Sequence, residues 1–125
     1  MNISQSTNWQ SRDFARALVR PADGATLWRE KPFEIRVGDE WISGRFDRVV
    51  FTGTGADRRA TIYDFKTDVR QRGEDEGAFA RRLAEAYRGQ LLAYRRALAV
   101  LAGLPERRIA CILLLNATRQ AVNLV

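Results

Sequence analysis

The sequence predicts an α/β domain built on a mixed central β-sheet flanked by helices. It comprises a three-strand antiparallel meander, a crossover helix and one or two further strands. Three observations predict it. Residues 25–66 hold three β-rich runs separated by short turn-forming clusters. Residues 78–102 carry apolar side chains at three- and four-residue spacing, the period of an amphipathic helix. Ile109 to Leu115 is then almost continuously apolar, as suits a strand buried on both faces beside the third strand.

Taken in order, Met1 to Gln10 is polar and reads as a flexible lead-in. Ser11 is a helix cap, with Asp13 in the first turn and Phe14, Ala17 and Leu18 on the buried stripe. Pro21-Ala22-Asp23-Gly24 ends that helix as a turn. Ala25 to Val37 alternates loosely and is expected to be a strand broken or bulged at Pro32. Gly38-Asp39-Glu40 turns into a second strand, Trp41 to Phe51, in which Gly44 marks a bulge or a close backbone approach. The stretch around Gly53-Thr54-Gly55 is a hairpin turn and not a phosphate loop, because no helix follows it.

The third strand is Ala60 to Lys66, and Thr67 to Gly77 is expected to be a mobile charged loop. On the helix, Ala78 to Ala102, the stripe is Leu83, Tyr87, Gln90 or Leu91, Tyr94, Leu98 and Leu101. Gly103 and Pro105 stop it. Arg119 to Val125 suits a last edge strand.

The chain has 125 residues, enough for one domain over 1–125 with its own core. No apolar run approaches the ~20 residues of a membrane span. No apolar signal-peptide core opens the chain, and the cytoplasm is the default location. Cys111, the single cysteine, cannot form an internal disulfide and sits in an apolar run, so it is expected to be a buried thiol. The net charge of +6 favours a polyanion such as nucleic acid. The absence of histidine excludes histidine-based zinc sites and Ser-His-Asp or Cys-His catalysis. The sequence holds no P-loop, so the chain carries no such motor of its own.

The third strand ends in Asp64-Phe65-Lys66. Strand side chains alternate, so Asp64 and Lys66 share one face and Phe65 takes the other. Asp47 lies on the preceding strand. Two acids and a lysine at the open end of a hairpin suit a hard-metal hydrolytic site, since magnesium takes one or two carboxylates with water and substrate phosphate. Only two lysines occur, which makes the position of Lys66 more informative. D-x-K alone is common, and surface salt bridging explains most instances of it.

The wider pattern is more specific. It runs Gly44-Arg45-Phe46-Asp47, then Asp64-Phe65-Lys66, then Gln90-Leu91-Leu92-Ala93-Tyr94, with Glu30 upstream. This set resembles the RecB-like branch of the PD-(D/E)xK nuclease superfamily over about Leu27 to Leu115. The resemblance implies a restriction-endonuclease-like core. It implies Mg2+ (or Mn2+) held by Asp47, Asp64 and the backbone carbonyl of Phe65, with Lys66 positioning or activating the attacking water. It also implies that Glu30 borders the active site, and that Gln90 and Tyr94, with Tyr87 on a similar helix face, support it and contact DNA.

The implied activity is metal-dependent hydrolysis of DNA phosphodiesters, exonucleolytic on ends or single strands, in recombination and repair. A helicase motor would come from another chain or from a longer parent protein. One departure is the missing histidine, commonly a metal ligand in RecB-like nucleases. Either water or another side chain, Asp13 or Glu30 among them, takes its place, or metal affinity is lowered. The alternative is a nuclease-like domain that binds DNA or scaffolds a partner without cutting. An iron-sulfur cluster of the Cas4-like kind is excluded by the single cysteine.

Overall fold

In the computed structural model, which describes residues 11–18 and 25–125, a five-stranded sheet runs in the order β1-β2-β3-β4-β5. The strands are β1 Thr26–Val37, β2 Glu40–Thr52, β3 Arg59–Lys66, β4 Ile109–Leu115 and β5 Gln120–Asn123. Among the described residues two α-helices flank it, α1 Ser11–Leu18 and α2 Glu76–Ala102. The expectations for residues 1–10 and for the Pro21–Gly24 turn lie outside the described residues, as do those for the Ser11 and Asp13 side chains. No described helix is long and apolar enough to cross a membrane.

β1, β2 and β3 pair antiparallel, and β3 pairs parallel with β4. That parallel step needs a long crossover, which α2 provides. The Asp75 side chain accepts from the Ala78 N–H to cap α2, and Gly103 closes it with φ 68°, a conformation that favours glycine. The α2 side chains Phe79, Leu83, Leu91 and Leu98 pack on Phe46, Val49, Phe51, Ile62 and Leu113. On the opposite sheet face α1 lays Phe14 and Ala17 on Ile112, Leu114 and Ala121. β4 is buried on both faces, as its unbroken apolar run requires.

Four expectations need correction. Leu101 is exposed, because Ala102, four residues after Leu98, takes the core-facing place. Leu18 is exposed as well, since α1 rests on Phe14 and Ala17, three apart. β1 is neither broken nor bulged at Pro32, which pairs in register with Arg45 on this edge strand. The segment after Lys66 is pinned, not loose: Arg82 Nε donates to Glu74 Oε2 at 2.8 Å, and Arg82 Nη2 donates to Glu74 Oε1 at 3.0 Å and to the Val69 carbonyl at 3.2 Å.

The irregularity in β1 lies at Glu30. Every β1–β2 pair from Thr26↔Phe51 to Val37↔Glu40 is formed except the one that would join Glu30 to Asp47. Glu30 has φ 44°, the left-handed region. On β1 both Trp28 and Phe33 pack on the core, and on β2 both Phe46 and Val49 do. Those spacings are odd, whereas a regular strand returns to one face every second residue. Both strands therefore exchange faces at the Glu30–Asp47 step without inserting a residue. Holding a non-glycine residue at this φ costs on the order of 1–3 kcal/mol. The stacked Phe33–Phe46 rings, 4.3 Å apart, and the Trp28–Phe51 contact at 4.8 Å hold the two sides of the kink.

Candidate active site

The kink and a fork in the sheet meet at Asp47. β2 and β3 pair from Thr52↔Arg59 to Arg48↔Tyr63, and there the ladder stops. The next β3 donor facing β2, the Phe65 N–H, is taken by Asp47 Oδ2 at 2.9 Å. A carboxylate thus replaces a backbone carbonyl at the point where the strands part. A strand residue's N–H and C=O project to the same side, so the Phe65 carbonyl also opens toward the fork.

Asp64 stands beside Asp47 and is only 6 % exposed. Burial pushes its carboxyl above the usual carboxylate range, the Lys66 ammonium pulls against this, and the Asp47 charge pushes it further up. Lys66 Nζ lies 2.7 Å from Asp64 Oδ2. On α2, Gln90 Oε1 accepts from Lys66 Nζ at 3.3 Å, and the Tyr87 ring presents its face 4.1 Å from the same nitrogen. Lys66 is therefore held from three sides.

Such a pair of crowded carboxylates is costly unless a cation shares it. Asp47, Asp64 and the Phe65 carbonyl are all hard oxygen donors, the set that magnesium or manganese takes, with water completing the shell. The donor chemistry fits a hard divalent ion. Among the described residues no third carboxylate joins these two in a metal-holding group.

A comparison with family models decides what kind of protein carries this fork. The model of the PD-(D/E)XK nuclease superfamily matches residues 5–122. The chain belongs to the PD-(D/E)XK nuclease superfamily. No curated protein and no solved structure matches it. The superfamily is one of nucleases that generally use divalent metal ions, and the mixed sheet with its flanking helices is the restriction-endonuclease-like α/β fold. Of the letters of the superfamily name, D/E-x-K can be read off Asp64-Phe65-Lys66 and an acid off Asp47, which follows Phe46 where the name has proline.

Other expected site residues of this superfamily member fall in three places. Gln90 and Tyr87 reach Lys66, as described. Tyr94 does not. It packs edge-on to Phe33 at 5.0 Å and Phe46 at 5.7 Å, and its hydroxyl lies over Gly44. A Cβ on Gly44 would sit 2.2 Å from Tyr94 Oη, so the glycine in β2 marks a close approach. Glu30 lies across from Asp47 and lines with it an open cleft of about 500 Å³ on the other sheet face from Lys66.

One site neighbour escapes sequence reading. Asp68 accepts from the Tyr87 hydroxyl, with Oδ2 at 2.9 Å and Oδ1 at 3.1 Å, and so fixes the ring that faces Lys66. That hydrogen bond is the first cause holding the Tyr87 phenol above its ordinary range, so Tyr87 stays a donor. The available signal was position: Asp68 continues the Asp64, Lys66 alternation by one step.

Proposed function

We propose that this chain is a divalent-metal-dependent deoxyribonuclease of the RecB-like kind, acting exonucleolytically on DNA ends or single strands in recombination and repair. It would serve in the cytoplasm as the nuclease module of a helicase-nuclease system, the motor being another chain or part of a longer parent protein. The observation that carries the reading is the fork itself: two carboxylates and an ammonium brought together where β2 and β3 part.

Asp47, Asp64 and the Phe65 carbonyl are the groups that would hold Mg2+ or Mn2+. When bound, such an ion stabilises charge on the scissile phosphate and makes water more acidic. Asp47 is oriented by the Phe65 N–H, so its second oxygen is left for the fork. Lys66, fixed by Asp64, Gln90 and the Tyr87 face, donates to the attacking water or to a phosphoryl oxygen and offsets the charge that develops there. Gln90 and Tyr87 act on Lys66 as positioning residues. Burial of Asp64 keeps competing water away and strengthens each of these interactions.

The test is cleavage of end-labelled single-stranded DNA with Mg2+, Mn2+ or EDTA by the wild type and Lys66→Ala. The reading expects metal-dependent cutting that the substitution abolishes, with a linear strand degraded and a circular one spared. A wild type that binds DNA and cuts none with either ion would overturn it in favour of a non-cutting scaffold.

A further inference from the structure

The sheet face turned away from α2 carries a second feature next to the fork. The cleft there is lined by Arg29, Glu30, Arg45, Asp47, Arg48 and Phe65. Among the described residues its lining holds three guanidinium groups and two carboxylates, one of which, Asp47, accepts from the Phe65 N–H. Arg29 and Arg48 are cross-strand partners, a like-charge pairing that destabilises a sheet. Arg48 is only 7 % exposed. Phe65 leaves 39 % of its surface in solvent, an apolar ring bordering a charged cleft.

The cleft exists because of the kink. In a regular strand Arg45 and Arg48, three apart, would face opposite sides. The face exchange at Glu30–Asp47 puts both on one side, together with Arg29. The backbone strain at Glu30 thus assembles a basic site whose wall is Asp47 itself.

Planar guanidinium groups match phosphate oxygens in pairs, and an exposed ring is a stacking platform for a base. A base stacked inside a duplex cannot reach such a ring, so the occupant is unpaired. We propose that this cleft holds the nucleotide adjoining the scissile phosphate of a single strand, with Arg29 and Arg45 on its phosphate and Phe65 under its base. The placement beside the cut rests on the nuclease reading; the binding of an unpaired nucleotide does not.

The experiment measures binding of a fluorescein-labelled oligothymidylate by anisotropy, with Ca2+ replacing Mg2+, for wild type, Phe65→Leu, Arg29→Gln and Arg45→Gln. Leucine keeps an apolar side chain without the stacking face, so Phe65→Leu should weaken binding about five- to a hundredfold. An oligonucleotide with one abasic site in the bound register should cost the wild type a similar factor and Phe65→Leu almost nothing more. Each arginine substitution should reduce the slope of log K against log salt by about 0.7. Unchanged affinity in Phe65→Leu together with unchanged salt slopes would overturn the site. Arg45 is exposed, so Arg45→Gln tests the cleft even if Phe65→Leu folds poorly. Cleavage by the wild type in Mg2+ separates the two readings. Cutting with normal binding by the variants sinks the cleft alone, whereas loss of affinity in the variants of a protein that does not cut sinks the nuclease reading alone.

Discussion

Replacing Lys66 by methionine tests the charge balance of the fork. Methionine keeps most of the apolar stem and removes the ammonium 2.7 Å from Asp64. Both partners are largely buried, their side chains retaining 16 % and 8 % of their surface. Removing one member of a buried pair costs about 3–5 kcal/mol. Residual solvent at Lys66 lowers this to about 2–4 kcal/mol. For a chain this size unfolding entropy is about 0.26 kcal/mol/K, so Tm should fall by about 8–15 °C. The pH dependence follows from the direction of the Asp64 shift. Its carboxyl is raised in the fold, so its ionisation is a stability loss that appears as pH rises through its folded pKa. In the wild type Lys66 offsets that loss. The gap between Lys66→Met and wild type should therefore be wide at pH 8 in EDTA, shrink as pH falls and a proton takes the place of the ammonium, and be narrow again at pH 8 with Mg2+. Thermal melts by circular dichroism read all three. Equal Tm values for the two proteins at pH 8, or a gap that ignores both pH and metal, would show that Lys66 does not offset the Asp64 charge.

Gly44→Ala places a methyl 2.2 Å from Tyr94 Oη and 2.6 Å from Cζ, with the ring hemmed in by Phe33 and Phe46; it should cost about 1–3 kcal/mol, read by denaturant titration. Adding Tyr94→Phe should restore only part of this, because Cζ remains too close. Cys111 is buried, donates to the Leu91 carbonyl at 3.6 Å and has its thiol pushed up to about 12 by burial, so iodoacetamide at pH 8 should alkylate it only after unfolding, as mass spectrometry would show. Arg82→Met removes the anchor of the segment after Lys66 and should speed trypsin cleavage at Arg70 and Arg72. Glu74 is held down to about 2, first by Arg82, so this clamp should persist at pH 4 and be lost as pH falls through that value.

Much of this architecture is legible in the sequence because strong local signals agree with it. The run Ile109 to Leu115 is β4 residue for residue, and Gly103 closes α2 where the helix pattern ends. Period-two alternation alone puts Asp64 and Lys66 on one face, and they do form an ion pair. What escapes is the kink. Both strands exchange faces with the register intact, so no extra residue signals it, and the visible proline two positions on draws the eye instead. The Arg82 clamp escapes because a charged, glycine-bearing segment reads as loose until its long-range partners are known. The basic cleft is hidden for a related reason: in an arginine-rich chain no single arginine stands out, and only the exchange of faces gathers three of them.

Whether Asp47 and Asp64 share one hard cation can be measured directly by anomalous diffraction from crystals soaked in Mn2+. A shared ion gives a single strong peak in the fork, within coordination distance of both carboxylates and the Phe65 carbonyl, and none in Asp64→Asn crystals treated alike. Well-ordered Asp47 and Asp64 side chains with no peak between them at millimolar Mn2+ would contradict it.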